Sequence, residues 1–248
     1  MAPATALNVA RVVLITGSTS GIGASAAARF AAVGDTVIFN SVRSVEAGAA
    51  LVAATPGSSY VQGDIANDDD CRRLIDTVLD RYGRLDVLVN NAGTTRVIPH
   101  RDLEAATVDV WREIFEVNVF GTWRMCVAAM AALKTSCGAI VNVSSLAGVR
   151  PVGSSIPYAA SKAAVNHMTA LLAKVVGPEV RVNAVAPGLV HTPWTNDWDA
   201  QHAFVQSIAP LKRSAVPDDI SEVIFTLAIS PYVTGQVIVV DGGLSLTT

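Results

Sequence analysis

Seven short runs rich in β-branched residues alternate with Ala-rich helical segments along the chain. Runs that are apolar over their whole length are typical of strands buried on both faces of a sheet. Strict alternation of such strands with helices requires right-handed crossover connections. We therefore predict an α/β fold, a Rossmann-type doubly wound parallel sheet of about seven strands flanked by helices. The predicted strands are VVLIT (12–16), TVIFN (36–40), SYVQG (59–63), LDVLVN (85–90), AIVNVS (139–144), VRVNAV (180–185) and QVIVV (236–240).

The composition fits one well-packed globular unit. The 248 residues are 51% hydrophobic and 16% charged, and the sequence contains neither a linker nor a repeat with a solenoid period. We therefore predict a single domain over residues 1–248. The formal net charge is −3, and Lys and Arg form no basic run. This charge pattern disfavours nucleic acids and anionic membrane surfaces as partners.

The cysteines and the amino terminus predict a reducing, cytoplasmic location. Cys71, Cys126 and Cys137 are odd in number, lack CxxC spacing and lie in or beside apolar segments, which favours reduced core thiols. Residues 1–17 have neither the positive region nor the apolar core of a signal peptide. Apolar stretches also stay below the roughly 18 to 20 residues that span a bilayer, so we predict no membrane partner.

A glycine-rich turn follows the first predicted strand in LITGSTSGIGASAA (14–27). Gly17 permits a sharp turn, while Gly21 and Gly23 let the backbone approach a pyrophosphate and let the helix pack closely on its strand. The amino end of that helix offers free N–H groups and a partial positive charge to phosphates. The alternative is an ordinary turn from strand to helix, which the position after the first strand disfavours.

Two polar features lie in otherwise apolar helical segments. Tyr158 and Lys162 in PYAASKAAV are one helical turn apart and should share a face, although this spacing alone usually marks a solvated helix face. The long helical pattern over 107–133 contains Asn118 and Gly121 near its middle, and both residues weaken a helix there. Asn118 therefore either bends the helix or has a functional role.

Other site chemistries find little support. His100, His167, His191 and His202 lack HxxxH or HExxH spacing, so we predict no metal site. The string GSTSG at 17–21 is close to the G-x-S-x-G pattern of hydrolases, but it has Thr19 in place of the central Ser. That reading also requires a later acid and a His in the proper context, and we disfavour it.

Six strings together resemble the classical short-chain dehydrogenase/reductases in order and spacing over nearly the whole chain. They are TGSTSGIG (16–23), NNAG (90–93), NVSS (142–145), YAASK (158–162), NAVAPG (183–188) and VDGG (240–243). The resemblance implies an NAD(P)(H)-dependent oxidoreductase that interconverts a ketone and a secondary alcohol, with 3-oxoacyl carrier-protein reductases as one candidate class. A sensing protein that binds the dinucleotide without catalysis is the alternative, and an epimerase or dehydratase on this fold is a third reading.

The resemblance also assigns catalytic roles. Tyr158 would be the general acid and base, and Lys162 would hydrogen-bond the nicotinamide ribose. The nearby ammonium group should also favour the phenolate and so lower the pKa of Tyr158. Ser145 would bind the substrate oxygen, with Ser144 as a competitor that more plausibly satisfies backbone groups. Asn118 would hold a water in a proton relay toward Lys162.

Cofactor choice depends on the end of the second predicted strand, where an acid would bind both ribose hydroxyls and repel a 2′-phosphate. Ser41 occupies that position and Arg43 follows, which predicts NADP(H) over NAD(H). Asp64 would bind the adenine, or alternatively cap the helix that begins near Asn67. The predicted cofactor contacts are Gly17, Ser20, Gly21, Ile22, Gly23, Ser41, Arg43, Asp64, Ile65, Asn91, Ala92, Gly93, Tyr158, Lys162, Pro187, Gly188, Val190 and Thr192.

Two further expectations concern the substrate and the assembly. The segment PWTNDWDAQHAFVQSIAP after Thr192 predicts a mobile lid over a small-molecule carbonyl or alcohol. Trp194 and Trp198 could wall its pocket or lie at a subunit contact, and the sequence leaves both readings open. The resemblance implies a homotetramer or homodimer formed through the helices at 107–133 and 158–176.

Overall fold

The computed structural model describes residues 10–247, so the prediction on the amino-terminal segment lies largely outside the described residues. The strands are β1 (Val12–Ile15), β2 (Thr36–Ser41), β3 (Ser59–Gln62), β4 (Val87–Asn90), β5 (Ala139–Val143), β6 (Arg181–Pro187) and β7 (Val237–Val240). The helices are α1 (Gly21–Ala32), α2 (Val45–Ala54), α3 (Asp68–Tyr82), α4 (Val108–Phe115), α5 (Thr122–Ser136), α6 (Ile156–Val176), α7 (Asp199–Ile208) and α8 (Pro217–Ile229).

The strands form one seven-stranded sheet in the order β3-β2-β1-β4-β5-β6-β7. Every pair of neighbours is parallel. This arrangement confirms the predicted doubly wound fold. The strand order reverses between β1 and β4, and in such sheets ligands bind outside the carboxyl ends of the strands at the reversal.

Hydrophobic clusters cover both faces of the sheet. One cluster joins Leu14 and Ile140 to side chains of α3, α5 and α6. The other joins Ile15 and Val141 to side chains of α1 and α8. Consecutive strand residues thus point to opposite faces, and both are buried, which explains why the strands read as unbroken apolar runs.

The long helical pattern over 107–133 is helical throughout, but not as one regular α-helix. A π-helical turn, Glu116–Gly121, joins α4 to α5 and contains Asn118. The Thr122 hydroxyl donates to the Asn118 backbone oxygen over 2.8 Å inside this turn. Gly121 lets the turn approach the loop after β3, because a β-carbon there would come within 2.8 Å of the Ile65 side chain.

The cysteine prediction is correct at two positions and wrong at the third. Cys71 and Cys126 are free and buried. Cys137 is exposed, because it is the residue after α5 and ends that helix in the left-handed conformation with φ 53°. Within residues 10–247, no helix is both long and apolar enough to cross a membrane.

Candidate active site

The glycine-rich turn is shaped by close backbone packing. Gly17 has φ +61°, and a β-carbon there would lie 2.8 Å from the Ala92 Cα. A β-carbon on Gly23 would lie 2.6 Å from the Asn91 Nδ2 and 2.7 Å from the Gly17 carbonyl oxygen. The glycines therefore hold the turn against the segment after β4, at the reversal of strand order.

The amino end of α1 suits an anionic group. Ser20 precedes the helix, and in the described part of the chain its side chain makes no capping hydrogen bond. The first turn, residues 21–24, is uncharged. Ser20 is exposed and Ile22 is half-buried, so the first N–H groups of the helix are open to a ligand. The residues present therefore fit a dinucleotide pyrophosphate.

Thr16 joins the turn to the NNAG segment, a role that the sequence did not predict. Its buried Oγ1 accepts hydrogen bonds from the backbone N–H groups of Asn91, over 3.0 Å, and Ala92, over 3.1 Å. The Asn91 amide in turn donates to the carbonyl oxygens of Thr16 and Gly17, over 3.0 and 2.9 Å. The only available signal was its position at the end of the first strand.

At the adenosine end, Ser41 is buried and its hydroxyl lies 2.9 Å from the Tyr60 hydroxyl. Arg43 is exposed two residues further on. A guanidinium at the rim of the site is therefore available to an anionic group, while the serine hydroxyl is shared with a phenol. This geometry is compatible with a 2′-phosphate contact by Arg43.

The proposed helix cap at Asp64 is wrong. Asn67 caps α3, because its Oδ1 accepts from the N–H groups of Asp69 and Asp70 over 2.9 and 3.0 Å. Asp64 instead accepts from the Ala66 N–H over 2.9 Å, in a turn before the helix. The side chain of Ile65 is buried in the core, so a ligand at this edge could reach only its backbone.

The segment from Pro187 to Thr192 approaches the glycine-rich turn from the other side. Gly188 donates from its N–H to the Val240 carbonyl over 2.9 Å. Val190 is buried, and the Thr192 methyl carbon lies 3.3 Å from the β position of Gly21. The structure thus brings two distant groups of predicted cofactor contacts to one crevice.

Tyr158 and Lys162 lie at this crevice on the first turns of α6. The Ser155 Oγ caps the helix by accepting from the Tyr158 N–H over 3.3 Å. Lys162 is 5% exposed, and its Nζ donates to the Val143 carbonyl over 2.9 Å. The Nζ lies 5.8 Å from the Tyr158 ring centroid, so the two side chains share one face as predicted.

The two neighbouring serines differ in their surroundings. The Ser145 hydroxyl is close enough to the Tyr158 phenol to lower its pKa, and its Oγ accepts from the Ala147 N–H over 3.1 Å. Ser144 is buried and donates to the Lys162 carbonyl over 3.2 Å. Ser145 therefore adjoins the phenol, while Ser144 satisfies backbone.

Asn118 clamps the segment after β4 onto α6. Its Oδ1 accepts from the Thr94 N–H over 2.8 Å, and its Nδ2 donates to the Thr94 carbonyl and the Ser161 Oγ, both over 3.0 Å. The amide is buried, and the β position of Gly93 lies 3.3 Å from its Oδ1 and 3.6 Å from the Lys162 Nζ. The side chain thus acts between protein groups, and the water relay stays a prediction.

The lid begins with a short helical turn, Pro193–Thr195, and continues into α7. Trp194 is 49% exposed, and its ring lies edge-on to Tyr158 with centroids 6.4 Å apart and an angle of 81°. Trp198 is half-buried, four residues further on. Trp194 therefore walls the crevice.

Among the described residues, no group of three or more His, Cys, Asp or Glu side chains could hold a metal ion.

A family model described as enoyl-(acyl carrier protein) reductase matches residues 17–245. The chain belongs to the classical short-chain dehydrogenase/reductase family. One relative, from Streptomyces violaceoruber, is 54% identical over 243 residues, which cover 96% of this chain and 97% of the relative. It is named as ketoacyl reductase 2 of the granaticin polyketide synthase. A 3-oxoacyl-[acyl-carrier-protein] reductase from Thermotoga maritima is 40% identical over 245 residues, 94% of this chain and 97% of the relative.

Solved structures agree with this assignment. A short-chain dehydrogenase/reductase from Burkholderia xenovorans has a TM-score of 0.89 and 39% identity, and covers 97% of this chain and 100% of that chain. The structure of ElxO with NADP bound has a TM-score of 0.88 and 28% identity, over 96% and 100% of the two chains. This short-chain dehydrogenase/reductase is thus an oxidoreductase that acts on carbonyl and alcohol groups, as predicted, and the comparisons do not support a catalytically silent sensor.

Burial governs the proton affinities at the active site of this short-chain dehydrogenase/reductase. Burial raises the pKa of Tyr158 above its usual range, and the hydrogen bond from Ser145 opposes that rise. Burial also lowers the pKa of Lys162 to about 8. The predicted fall in the pKa of Tyr158 is therefore wrong for the protein alone. The ammonium group is turned toward the Val143 carbonyl, and desolvation of the phenolate outweighs its field.

Replacing Asn118 with Ala should leave the Thr94 N–H, the Thr94 carbonyl and the Ser161 hydroxyl without their amide partner. We expect the free energy of unfolding to fall by about 1–3 kcal/mol. We expect kcat to fall by about 10²-fold, because the segment beside Lys162 would shift. Steady-state kinetics and chemical denaturation measure the two effects.

Asn183 is the matched control for this substitution. It is a buried amide on β6 that bonds the Val233 carbonyl over 2.8 Å and the Gln236 N–H over 3.1 Å. Asn183→Ala should cost comparable stability yet retain kcat in the molecules that stay folded. Equal kcat values for the two variants would contradict a positioning role for Asn118.

Proposed function

We propose that this oxidoreductase is an NADPH-dependent reductase of 3-oxoacyl thioesters carried on a carrier protein, and that Tyr158 is its proton donor. The observation that supports it best is the Tyr158 phenol, which lies beside Ser145 and has the Lys162 Nζ 5.8 Å from its ring centroid, in the crevice that Gly93 also lines. The names of the relatives from Streptomyces violaceoruber and Thermotoga maritima support the substrate class.

The cofactor would lie along the crevice. The amino end of α1, with Gly17 and Gly21, would hold the diphosphate through backbone N–H groups. Arg43 would pair with the 2′-phosphate, which supports NADP(H) over NAD(H). Residues 91–93 and Lys162 would hold the nicotinamide ribose, and residues 187–192 would hold the carboxamide.

The protein groups would then donate the proton, while the bound nicotinamide supplies the hydride. Ser145 and Tyr158 would both hydrogen-bond the substrate carbonyl oxygen and so orient the carbonyl carbon. As negative charge develops on that oxygen, Tyr158 would transfer its phenolic proton to it, which yields the alcohol and leaves a phenolate. The Lys162 ammonium group would stabilise that phenolate until solvent returns the proton. A raised pKa for Tyr158 suits this direction, because the phenol must start protonated.

The substrate proposal is tested with a panel of thioesters and both cofactors. We expect oxidation of NADPH with a 3-oxoacyl thioester to exceed that with a simple ketone, and kcat/KM with NADPH to exceed that with NADH. A 2-enoyl thioester is the third substrate, because the matching family model is described as an enoyl reductase. Turnover of the enoyl thioester alone would contradict ketone reduction, and equal kcat/KM values for the two cofactors would contradict the NADP(H) preference.

The pH dependence of reduction should follow the Lys162 ammonium group. Its pKa of about 8 lies below the ordinary value of 10.5, so the cation is present at pH 7 and is lost as the pH rises through about 8. Because only the cation stabilises the phenolate, kcat/KM for reduction should be level from pH 6.5 to 7.5 and fall progressively above pH 8. The profile is measured at saturating NADPH. A profile that stays level to pH 9.5 would contradict this role for the cation.

We also propose that the protein forms a homotetramer or homodimer through α5 and α6. An apolar groove between these helices is lined by Trp123, Cys126, Val127, Met130, Leu172 and Val176. Trp123 and Val127 are 47% and 54% exposed in the isolated chain. Light scattering at micromolar concentration should give a multiple of the 25.8 kDa chain mass, and a monomer would contradict the proposal.

The free, buried thiols of Cys71 and Cys126 support a reducing, cytoplasmic location.

A further inference from the structure

The indole of Trp194, which walls the catalytic crevice, also extends into it. Its Cη2 is 4.0 Å from the β position of Gly93, and that same point is 3.6 Å from the Lys162 Nζ. On the other side the indole meets the ring of Tyr158, with centroids 6.4 Å apart. The ring therefore lies between the tyrosine and the segment after β4.

The nicotinamide ribose of the cofactor needs the same space beside Gly93 and Lys162. Gly93 and Lys162 are the residues that we propose for the nicotinamide ribose, and Tyr158 must reach the substrate carbonyl. A sugar placed between two surfaces needs a van der Waals contact of about 3.5–4.0 Å on each side, or a gap of about 7 Å. The Trp194 Cη2 is 4.0 Å from the point where a β-carbon on Gly93 would lie, and that point is about 1.5 Å from the Gly93 Cα. At most about 5.5 Å therefore separates the two atoms, so the ring must move before a ribose can enter between them.

Hydrogen bonds of Thr195 hold the backbone next to Trp194, so the side chain is the less constrained part. The Thr195 Oγ1 donates to the Val190 carbonyl over 2.7 Å and accepts from the Thr192 N–H over 3.2 Å. The Thr195 carbonyl lies 3.3 Å from the His202 Nε2, and His202 is stacked on His191 with ring centroids 3.8 Å apart. In contrast, the indole is 49% exposed and meets Tyr158 only edge-on.

We propose that Trp194 is a gate residue of the active site. Its indole competes with the nicotinamide end of the cofactor for the space beside Gly93 and Lys162. It rotates outward when the cofactor binds, and it then forms a wall for the acyl chain of the substrate. The second step rests on the proposed function, whereas the first requires only that the crevice binds a dinucleotide.

The gate predicts effects of opposite sign on the two ligands. When a binding site is open in only a fraction of the molecules, the apparent Kd rises by the inverse of that fraction. Removing the indole abolishes this penalty for the cofactor, but it also removes apolar contact area from the acyl chain. A residue that merely lines the site would weaken the binding of both ligands when truncated.

The test compares Trp194→Ala with the wild type and with Trp198→Ala, which removes a half-buried indole from the same segment. NADPH is titrated calorimetrically in the absence of substrate. We expect the Kd for NADPH to fall by about 3–10-fold in Trp194→Ala, which corresponds to an occluded crevice in about 70–90% of the wild-type molecules. We expect KM for a 3-oxoacyl thioester to rise by about tenfold, which is the effect of losing one well-packed apolar contact. Trp198→Ala should change neither value by more than about twofold.

The outcomes separate the gate from the proposed function. An unchanged or higher Kd for NADPH in Trp194→Ala, with an unchanged melting temperature, would overturn the gate while leaving the reductase intact. A lower Kd in a protein that reduces no 3-oxoacyl thioester would support the gate and contradict the substrate class. Trp194→Phe is the second variant, because its smaller ring should give a Kd between those of Trp194→Ala and the wild type. A Kd outside that interval would count against occlusion by the ring.

Discussion

Tyr158→Phe should reduce kcat for 3-oxoacyl thioester reduction by about 10²–10⁴-fold, the range typical of losing a positioned general acid. The change removes one oxygen atom from a half-buried ring that adjoins Ser145 and lies 5.8 Å from the Lys162 Nζ. The ring itself remains, so the crevice keeps its shape and the Kd for NADPH should stay within about threefold. Stopped-flow mixing of NADPH-loaded protein with substrate separates the chemical step from product release.

Tyr232→Phe is the control for this variant, because Tyr232 is fully exposed on the loop before β7. It should retain the wild-type kcat. The expected pattern for Tyr158→Phe is therefore lost turnover with retained cofactor binding. A variant that turns over at more than a tenth of the wild-type rate would show that another group, or water, delivers the proton.

Gly17→Ala should raise the Kd for NADPH by about 10²-fold or more, the size of effect that a displacement of about 1 Å can have. The added methyl group would lie 2.8 Å from the Ala92 Cα, which is a backbone atom and cannot turn aside. The turn must then move away from the segment after β4, so the N–H groups at the amino end of α1 no longer point toward the diphosphate. Calorimetric titration with NADPH measures the effect.

Gly34→Ala separates crowding from backbone strain. Gly34 also has a positive φ, +89°, but a β-carbon there would meet nothing within 4 Å in the described part of the chain. Both variants should lose about 1 kcal/mol of stability because an L-residue is disfavoured at positive φ, and Gly17→Ala should lose more because its methyl group also meets the Ala92 backbone. Only Gly17→Ala should also lose cofactor affinity. Similar Kd values for the two variants would show that the turn does not hold the diphosphate.

The sequence predicted correctly those structural features that depend only on residues close together along the chain. Strands buried on both faces are apolar throughout, so their positions were predicted to within about two residues, as for β1 and β5. Asn118 was singled out because an amide weakens a helix, and it does lie in a π-helical turn. The one-turn spacing of Tyr158 and Lys162 likewise places both side chains at one crevice.

The rest depends on contacts between distant parts of the chain. The partners of Asn118 are Thr94 and Ser161, which are 24 and 43 residues away, so no spacing rule connects them. The direction of the pKa shift at Tyr158 depends on how deeply the ring is buried, which becomes known only when the lid and the sheet are in place.

Some errors were local. The capping role considered as an alternative for Asp64 belongs to Asn67, three residues later, because the Asn67 Oδ1 accepts from N–H groups in the first turn of α3. Cys137 is exposed because it is itself the left-handed residue that ends α5. The apolar segments beside it had indicated a buried position. In both cases the local backbone geometry, and not the types of the neighbouring residues, determines the position of the side chain.

The proposed reductase activity requires that the crevice beside Tyr158 binds a reduced nicotinamide and delivers a proton to a ketone. A single-turnover experiment tests it most directly: protein loaded with one equivalent of NADPH is mixed with excess 3-oxoacyl thioester, and the products are analysed by mass spectrometry. We predict one equivalent of 3-hydroxyacyl thioester for each equivalent of NADPH oxidised, with Tyr158→Phe binding NADPH yet forming no product on that timescale. Bound NADPH that remains reduced in the wild-type protein, with every carbonyl substrate of the panel, would rule out this activity.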